Sequence, residues 1–136
     1  MKMVKSIPTL PVQNMDKAAA FYTTKLGFTI KHQEATFAIL IRNDVEIHLW
    51  QSCDKSWIYR SIFLALKPIH SGTESFLAGT ASCRIQVQGI EELFAEYKVA
   101  GVLHSPDTIV EKQYWGDKEF AAVDLHRNLL TFYEPL

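Results

Sequence analysis

Apolar residues recur along this chain in two rhythms, three- to four-residue steps and strict alternation, and the rhythms come twice in the same order. Met15, Ala18, Ala19, Tyr22 and Leu26 follow the helical rhythm and predict a helix over 14–26, with Asn14 as its N-cap and Gly27 as its stop. Ile90, Leu93, Phe94 and Tyr97 predict a second helix over 89–100, with Glu91 and Glu92 at its positive end and Gly101 closing it. Alternating stretches predict strands near 5–12, 28–34, 36–42 and 45–51, then near 80–88, 106–112, 118–125 and 128–134.

The order is therefore βαβββ, twice, and the residues echo it. Val12-Gln13-Asn14-Met15-Asp16-Lys17 returns 75 positions later as Val87-Gln88-Gly89-Ile90-Glu91-Glu92. Phe37-Ala38-Ile39-Leu40 returns after 83 positions as Phe120-Ala121-Ala122-Val123, each copy followed by a turn and a strand. One such unit leaves a sheet face uncovered, so two units must set their sheets edge to edge or face to face. The expected fold is α+β: one domain over 1–136, with two βαβββ modules (1–51 and 80–136), helices outside and a concave side inside. The linking segment 52–79 holds Trp57, Tyr59, Ile62, Phe63, Leu64 and Phe76, too apolar for an inert tether. It reads as an ordered packing strap, with a lid, a dimer contact or a short helix as the alternatives.

Within a strand, alternation decides which side chains reach the concave side. Ala81, Cys83, Ile85 and Val87 belong under a helix, which turns Ser82, Arg84 and Gln86 to the cleft. Val45, Ile47 and Leu49 oppose Glu46, His48 and Trp50, a row with an acid, an imidazole and an indole. By the repeat, Leu129, Thr131 and Tyr133 line the cleft as well.

Composition narrows the function. At 136 residues, 48% hydrophobic and 21% charged, the chain can bury a real core. Lys and Arg number 14 against 15 Asp and Glu, with no basic stripe, which argues against a nucleic-acid partner. No apolar run approaches the ~18 residues of a membrane span and no leader pattern opens the chain, so a cytoplasmic location is expected. Cys53 and Cys83 lack any zinc-like or CxxC spacing and are read as reduced thiols, Cys83 in the core.

The doubled βαβββ pattern, Ala19-Ala20-Phe21-Tyr22 with Leu26-Gly27-Phe28, and Trp115-Gly116 followed by Phe120-Ala121 and Asp124 resemble the vicinal-oxygen-chelate superfamily. Within it, Ser6-Ile7-Pro8, Leu10-Pro11-Val12, Ile47-His48-Leu49-Trp50, Ala78-Gly79-Thr80-Ala81-Ser82-Cys83-Arg84-Ile85 and Trp115-Gly116 are most similar to bleomycin-resistance proteins. The superfamily's metal enzymes carry His, Gln or Glu at four cleft positions, which the resemblance puts here on Ile7, His48, Ser82 and Thr131. A catalytic divalent site needs about three protein ligands, and a lone imidazole cannot supply them. No metal and no cofactor are expected, and the chain is expected not to be an enzyme.

What the resemblance implies is a homodimer that sequesters a bleomycin-type drug, with or without its own metal bound, and keeps it from DNA without breaking any bond. Such a guest has a flat bithiazole, a cationic tail and a chelating head. Phe37, Trp50, Trp57 and Trp115 would be its flat walls, each able to add about 0.5–1.5 kcal/mol by stacking. His32 and His48 would meet the head, Glu46, Asp117 and Glu119 the cation, and Ser82 and Arg84 the groove. Asp124 is expected to bond turn amides. Two alternatives stand beside this: a metal-dependent lyase, transferase or dioxygenase using His48 with His32, His70 or His104, and a binder of another planar antibiotic or metabolite.

Overall fold

A computed structural model describes residues 1–52 and 77–136. Trp57, Cys53, His70 and most of the linking segment lie outside the described residues. The elements are β1 (Thr9–Val12), α1 (Met15–Thr24), β2 (Thr29–Gln33), β3 (Phe37–Arg42), β4 (Val45–Gln51), β5 (Ser82–Gln86), α2 (Ile90–Ala100), β6 (Glu111–Lys112), β7 (Asp117–Val123) and β8 (Leu129–Pro135). They form two mixed sheets, ordered β1-β4-β3-β2 and β5-β8-β7-β6, in which the first strand of each module runs parallel to its last. Each module is thus a βαβββ unit, as the alternation predicts.

Strands β1, β5 and β6 are several residues shorter than expected, β5 keeping Ser82–Gln86 of the 80–88 read for it. β1 starts only at Thr9 because Pro8 has no N–H to donate, although its carbonyl still accepts from His48 N at 3.0 Å. β6 shrinks to two residues because the chain before it closes a turn of its own: Thr108 N donates to Ser105 O at 3.1 Å and Thr108 Oγ1 accepts from Ser105 N at 3.0 Å.

The helices start differently. The side chain of Asn14 accepts from Lys17 N at 3.0 Å, the predicted cap of α1. At the equivalent place α2 has Gly89, which has no side chain to offer. The carboxylate of Glu134, on β8, reaches across instead and accepts from Gly89 N at 2.8 Å. Those amide bonds hold the Glu134 carboxyl below its usual range.

The hairpin turns also differ, and this corrects the second echo. Arg42 pairs with Val45 across a two-residue turn, Asn43-Asp44, whereas Asp124 N bonds Asn128 O across three residues, 125–127, with Arg127 at φ 72°. The extra residue shifts the alignment of β3 with β7 by one place. Ile39 faces His48 as Ala121 faces Thr131, so the counterpart of Phe120 is Ala38 rather than Phe37. A one-place shift reverses sheet faces. Phe120 is accordingly buried in the core, and Phe37 lies on the open side.

Buried residues of both modules form one cluster that includes Leu10, Met15, Tyr22, Leu40 and Ile47 from the first and Ile85, Ile90, Tyr97, Phe120 and Phe132 from the second. Two tyrosines lock the halves crosswise. Tyr22 on α1 donates to Asp124 Oδ2 of the second hairpin at 2.8 Å, and burial first, then that carboxylate, raises its pKa. Tyr97 on α2 donates to Leu26 O at 2.8 Å, beside Arg42 of the first hairpin, and burial pushes its pKa up to about 12. Asp124 Oδ1 also takes the amides of His126 and Asn128, as expected of a turn-bonding aspartate, and the fully buried Asn128 donates to Pro11 O at 2.7 Å. Cys83 is a free thiol in partial burial, which pushes its pKa up to about 11 and keeps it protonated at neutral pH.

Candidate functional site

The parity that buries Ile47 and Leu49 leaves Glu46, His48 and Trp50 on the open face of the first sheet. Phe37, paired with Trp50 across β3 and β4, joins them: its ring stands edge-on to His48 at 5.0 Å and to Trp50 at 5.8 Å between centroids. His32 approaches the same ring at 6.3 Å from β2, beyond a bulge between Ile30 and His32. Trp50 keeps 37% of its surface exposed, a large indole left for something to cover.

Glu46 sits between two bases. One carboxylate oxygen lies 2.6 Å from His48 Nε2 and the other 3.0 Å from Lys5 Nζ. The hydrogen bond with His48, then that with Lys5, holds its carboxyl below the usual range. The acid expected to meet a cation is therefore already balanced by a neighbour. Lys5 was not foreseen: it stands 41 positions from Glu46 on an exposed arm, where one more lysine carries no local mark.

The second open face is built on a guanidinium. Arg84 donates to Glu119 Oε2 at 2.6 Å and to Asp117 Oδ2 at 2.8 Å, and lies 4.3 Å over the ring of Tyr133. Bonding to Glu119 is the largest cause that raises its already high pKa. Trp115 Nε1 donates to the same Asp117 oxygen at 3.0 Å, and Tyr114 packs edge-on to Trp115 at 4.8 Å. Ser82 is exposed at the rim of this face in register with Leu129, and Thr131 lies next to Arg84. Asp117 and Glu119, expected to face a cationic guest, share the single positive charge of Arg84.

The predicted residues thus fall into two groups: His32, Phe37, Glu46, His48 and Trp50 on one face, and Ser82, Arg84, Trp115 and Asp117 on the other. Trp57 lies outside the described residues. Among the described residues no hydrogen bond, ion pair or ring contact joins the two faces within the chain. A pocket of about 740 Å³ opens elsewhere, where Val45 and the Arg42–Glu96 pair meet Gln86, and Gln86 is the one residue expected at the cleft that lines it.

Metal ligation finds little to work with. Among the described residues no group of three or more His, Cys, Asp or Glu is placed to hold an ion. His32 pairs with Glu34 at 3.6 Å, and His104 is exposed, with its backbone bonded to Ala121.

Residues 7–41 match the family model described as bleomycin resistance protein-like N-terminal. Bleomycin resistance proteins of Geobacillus stearothermophilus and Staphylococcus aureus are each 46% identical over 134 residues, covering 98% of this chain and 98% of their own. Among solved structures, a bleomycin resistance determinant encoded on the transposon Tn5 is 25% identical with a TM-score of 0.71, covering 98% of both chains. The bleomycin-binding protein of Streptomyces verticillus, complexed with copper(II)-bleomycin, is 22% identical with a TM-score of 0.72, covering 97% of this chain and 96% of its own.

Proposed function

The chain belongs to the bleomycin resistance protein family, and we propose that it protects its host by holding a bleomycin-type drug, metal-free or metal-loaded, without altering it. The observation that carries this reading is the ring row His32, Phe37, His48 and Trp50, built on paired strands, with His32 and Trp50 exposed and Phe37 and His48 only half-buried. A soluble core would bury such rings; a binding wall leaves them open. Holding a guest requires affinity, and trapping it near micromolar levels needs a Kd below about 1 μM, roughly -8 kcal/mol. Stacking and burial of two or three rings, with charge complementarity, can supply that.

The binding unit is a homodimer. A flat guest needs walls on both sides, and the two open faces of one chain share no hydrogen bond, ion pair or ring contact among the described residues. A twofold pairing would bring the face of Trp50 in one protomer opposite the face of Trp115 in its partner and make two equivalent grooves. Each chain acts as one domain, which the core shared by the modules supports, and it works in the cytoplasm, where the drug can be intercepted before it reaches DNA. Among the described residues no helix is long and apolar enough to cross a membrane.

The test is calorimetry with metal-free and copper-loaded bleomycin, beside sedimentation of the free protein. One drug per groove, recovered chemically unchanged from a dimeric protein, is the expected result. Altered drug, or the absence of binding below about 1 μM, overturns the reading.

A further inference from the structure

Building on the drug-binding reading, we propose that Arg84 and Asp117 are positioning residues whose task is to hold the indole of Trp115 ready as a wall. Three observations carry this. Asp117 Oδ2 accepts from Trp115 Nε1 at 3.0 Å and from Arg84 Nη2 at 2.8 Å, so one oxygen ties the indole to the guanidinium. The guanidinium is fixed in turn by Glu119 at 2.6 Å and by the Tyr133 ring at 4.3 Å, and Glu119 and Tyr133 are themselves cross-strand partners on β7 and β8. Trp115 is 52% exposed beside Gly116 at φ 100°, and among the described residues its one ring contact is the edge of Tyr114, itself 96% exposed, so no buried neighbour ring holds the indole.

The result is a chain of four groups running from the rigid strands out to the loop: Glu119, Arg84, Asp117, Trp115. Charge assistance makes its links short, and the planar Arg fork lets one guanidinium hold two acids at once. A ring already oriented loses less freedom when a guest arrives. In this arrangement the polar atoms of Arg84 and Asp117 are turned on each other and on the indole, which explains a charged pair on a binding face without assigning it to the guest.

The experiment reads order and affinity separately. The protein has three tryptophans, so its nitrogen–proton spectrum carries three indole signals, and Trp115→Phe identifies one of them by deleting it. In the free parent, the Trp115 indole should show the heteronuclear NOE of a rigid group and slowed hydrogen exchange. Asp117→Ala should lower that NOE, speed the exchange and weaken bleomycin binding by roughly 2- to 10-fold, the cost of immobilising one side chain on binding. Asp117→Asn, which keeps an acceptor oxygen for the indole, should restore much of both.

An indole as rigid in Asp117→Ala as in the parent overturns the proposal, and so does a loosened indole with unchanged affinity. If the parent binds no bleomycin, the drug-binding reading falls by itself, and the NOE comparison in the free protein still decides whether the relay holds the ring.

Discussion

The two modules share strand order, helix placement and buried parity, yet their open faces have diverged completely. In register, His48 corresponds to Thr131 and Trp50 to Tyr133, while Thr9 beside His48 gives way to Arg84 beside Thr131. The first face is a set of rings with one internally balanced acid; the second is a guanidinium shared by two carboxylates with an indole tied to its edge. The buried faces have stayed alike in kind, with Leu40, Ile47 and Leu49 matched by Ala122, Leu130 and Phe132. Folding constrains the inner positions through packing, and the outer positions are left to answer to whatever binds.

That contrast can be broken from the inside first. Tyr22 and Tyr97 look equivalent, but their partners differ. Asn128→Ala, which removes donors from Pro11 O and Asp124 in full burial, should cost about 3 kcal/mol, visible as a lower midpoint in urea. Tyr22→Phe should cost about 1–3 kcal/mol because a buried carboxylate loses a donor, whereas Tyr97→Phe should cost less, since Arg42 still donates to Leu26 O. Equal losses for the two tyrosines would mean that the crosswise locks are interchangeable after all.

On the open faces the ranking turns from stability to affinity. Trp50→Ala and Trp115→Ala should each weaken bleomycin by about tenfold, with less than ~1 kcal/mol lost in folding because both rings are already partly exposed. Tryptophan fluorescence and urea titrations on the same samples check both halves of this. If only one of the two mattered, the guest would rest on a single face and the paired-groove dimer would be unnecessary.

The smallest effect concerns Glu46. Its carboxyl is held low when folded, so the pairing stabilises the protein above the ordinary carboxylate pKa of about 4.3 and is lost as pH falls through the lowered value. The stability gap between parent and Glu46→Gln should therefore be present at pH 6 and shrink as the solution is taken below about pH 4. A gap that stayed constant with pH would remove the charge from the explanation.

Much of this was legible beforehand. Alternation alone turned Glu46, His48, Trp50, Ser82 and Arg84 outward, because in a half-buried sheet the apolar row leaves no choice. The caps at Asn14 and Gly101 and the bonding role of Asp124 followed from local chemistry. What alternation could not reveal was contact across the sheet: Lys5 on Glu46, Arg84 shared by Asp117 and Glu119, Glu134 capping a helix 45 positions away. The comparison of Phe37 with Phe120 failed because matching letters do not count turn residues.

That single additional turn residue also makes the two hairpins non-interchangeable. Shortening 125–127 to a two-residue turn like Asn43-Asp44 would slide β7 one place along β8 and exchange its faces, sending Phe120 out to solvent and Glu119 toward the core.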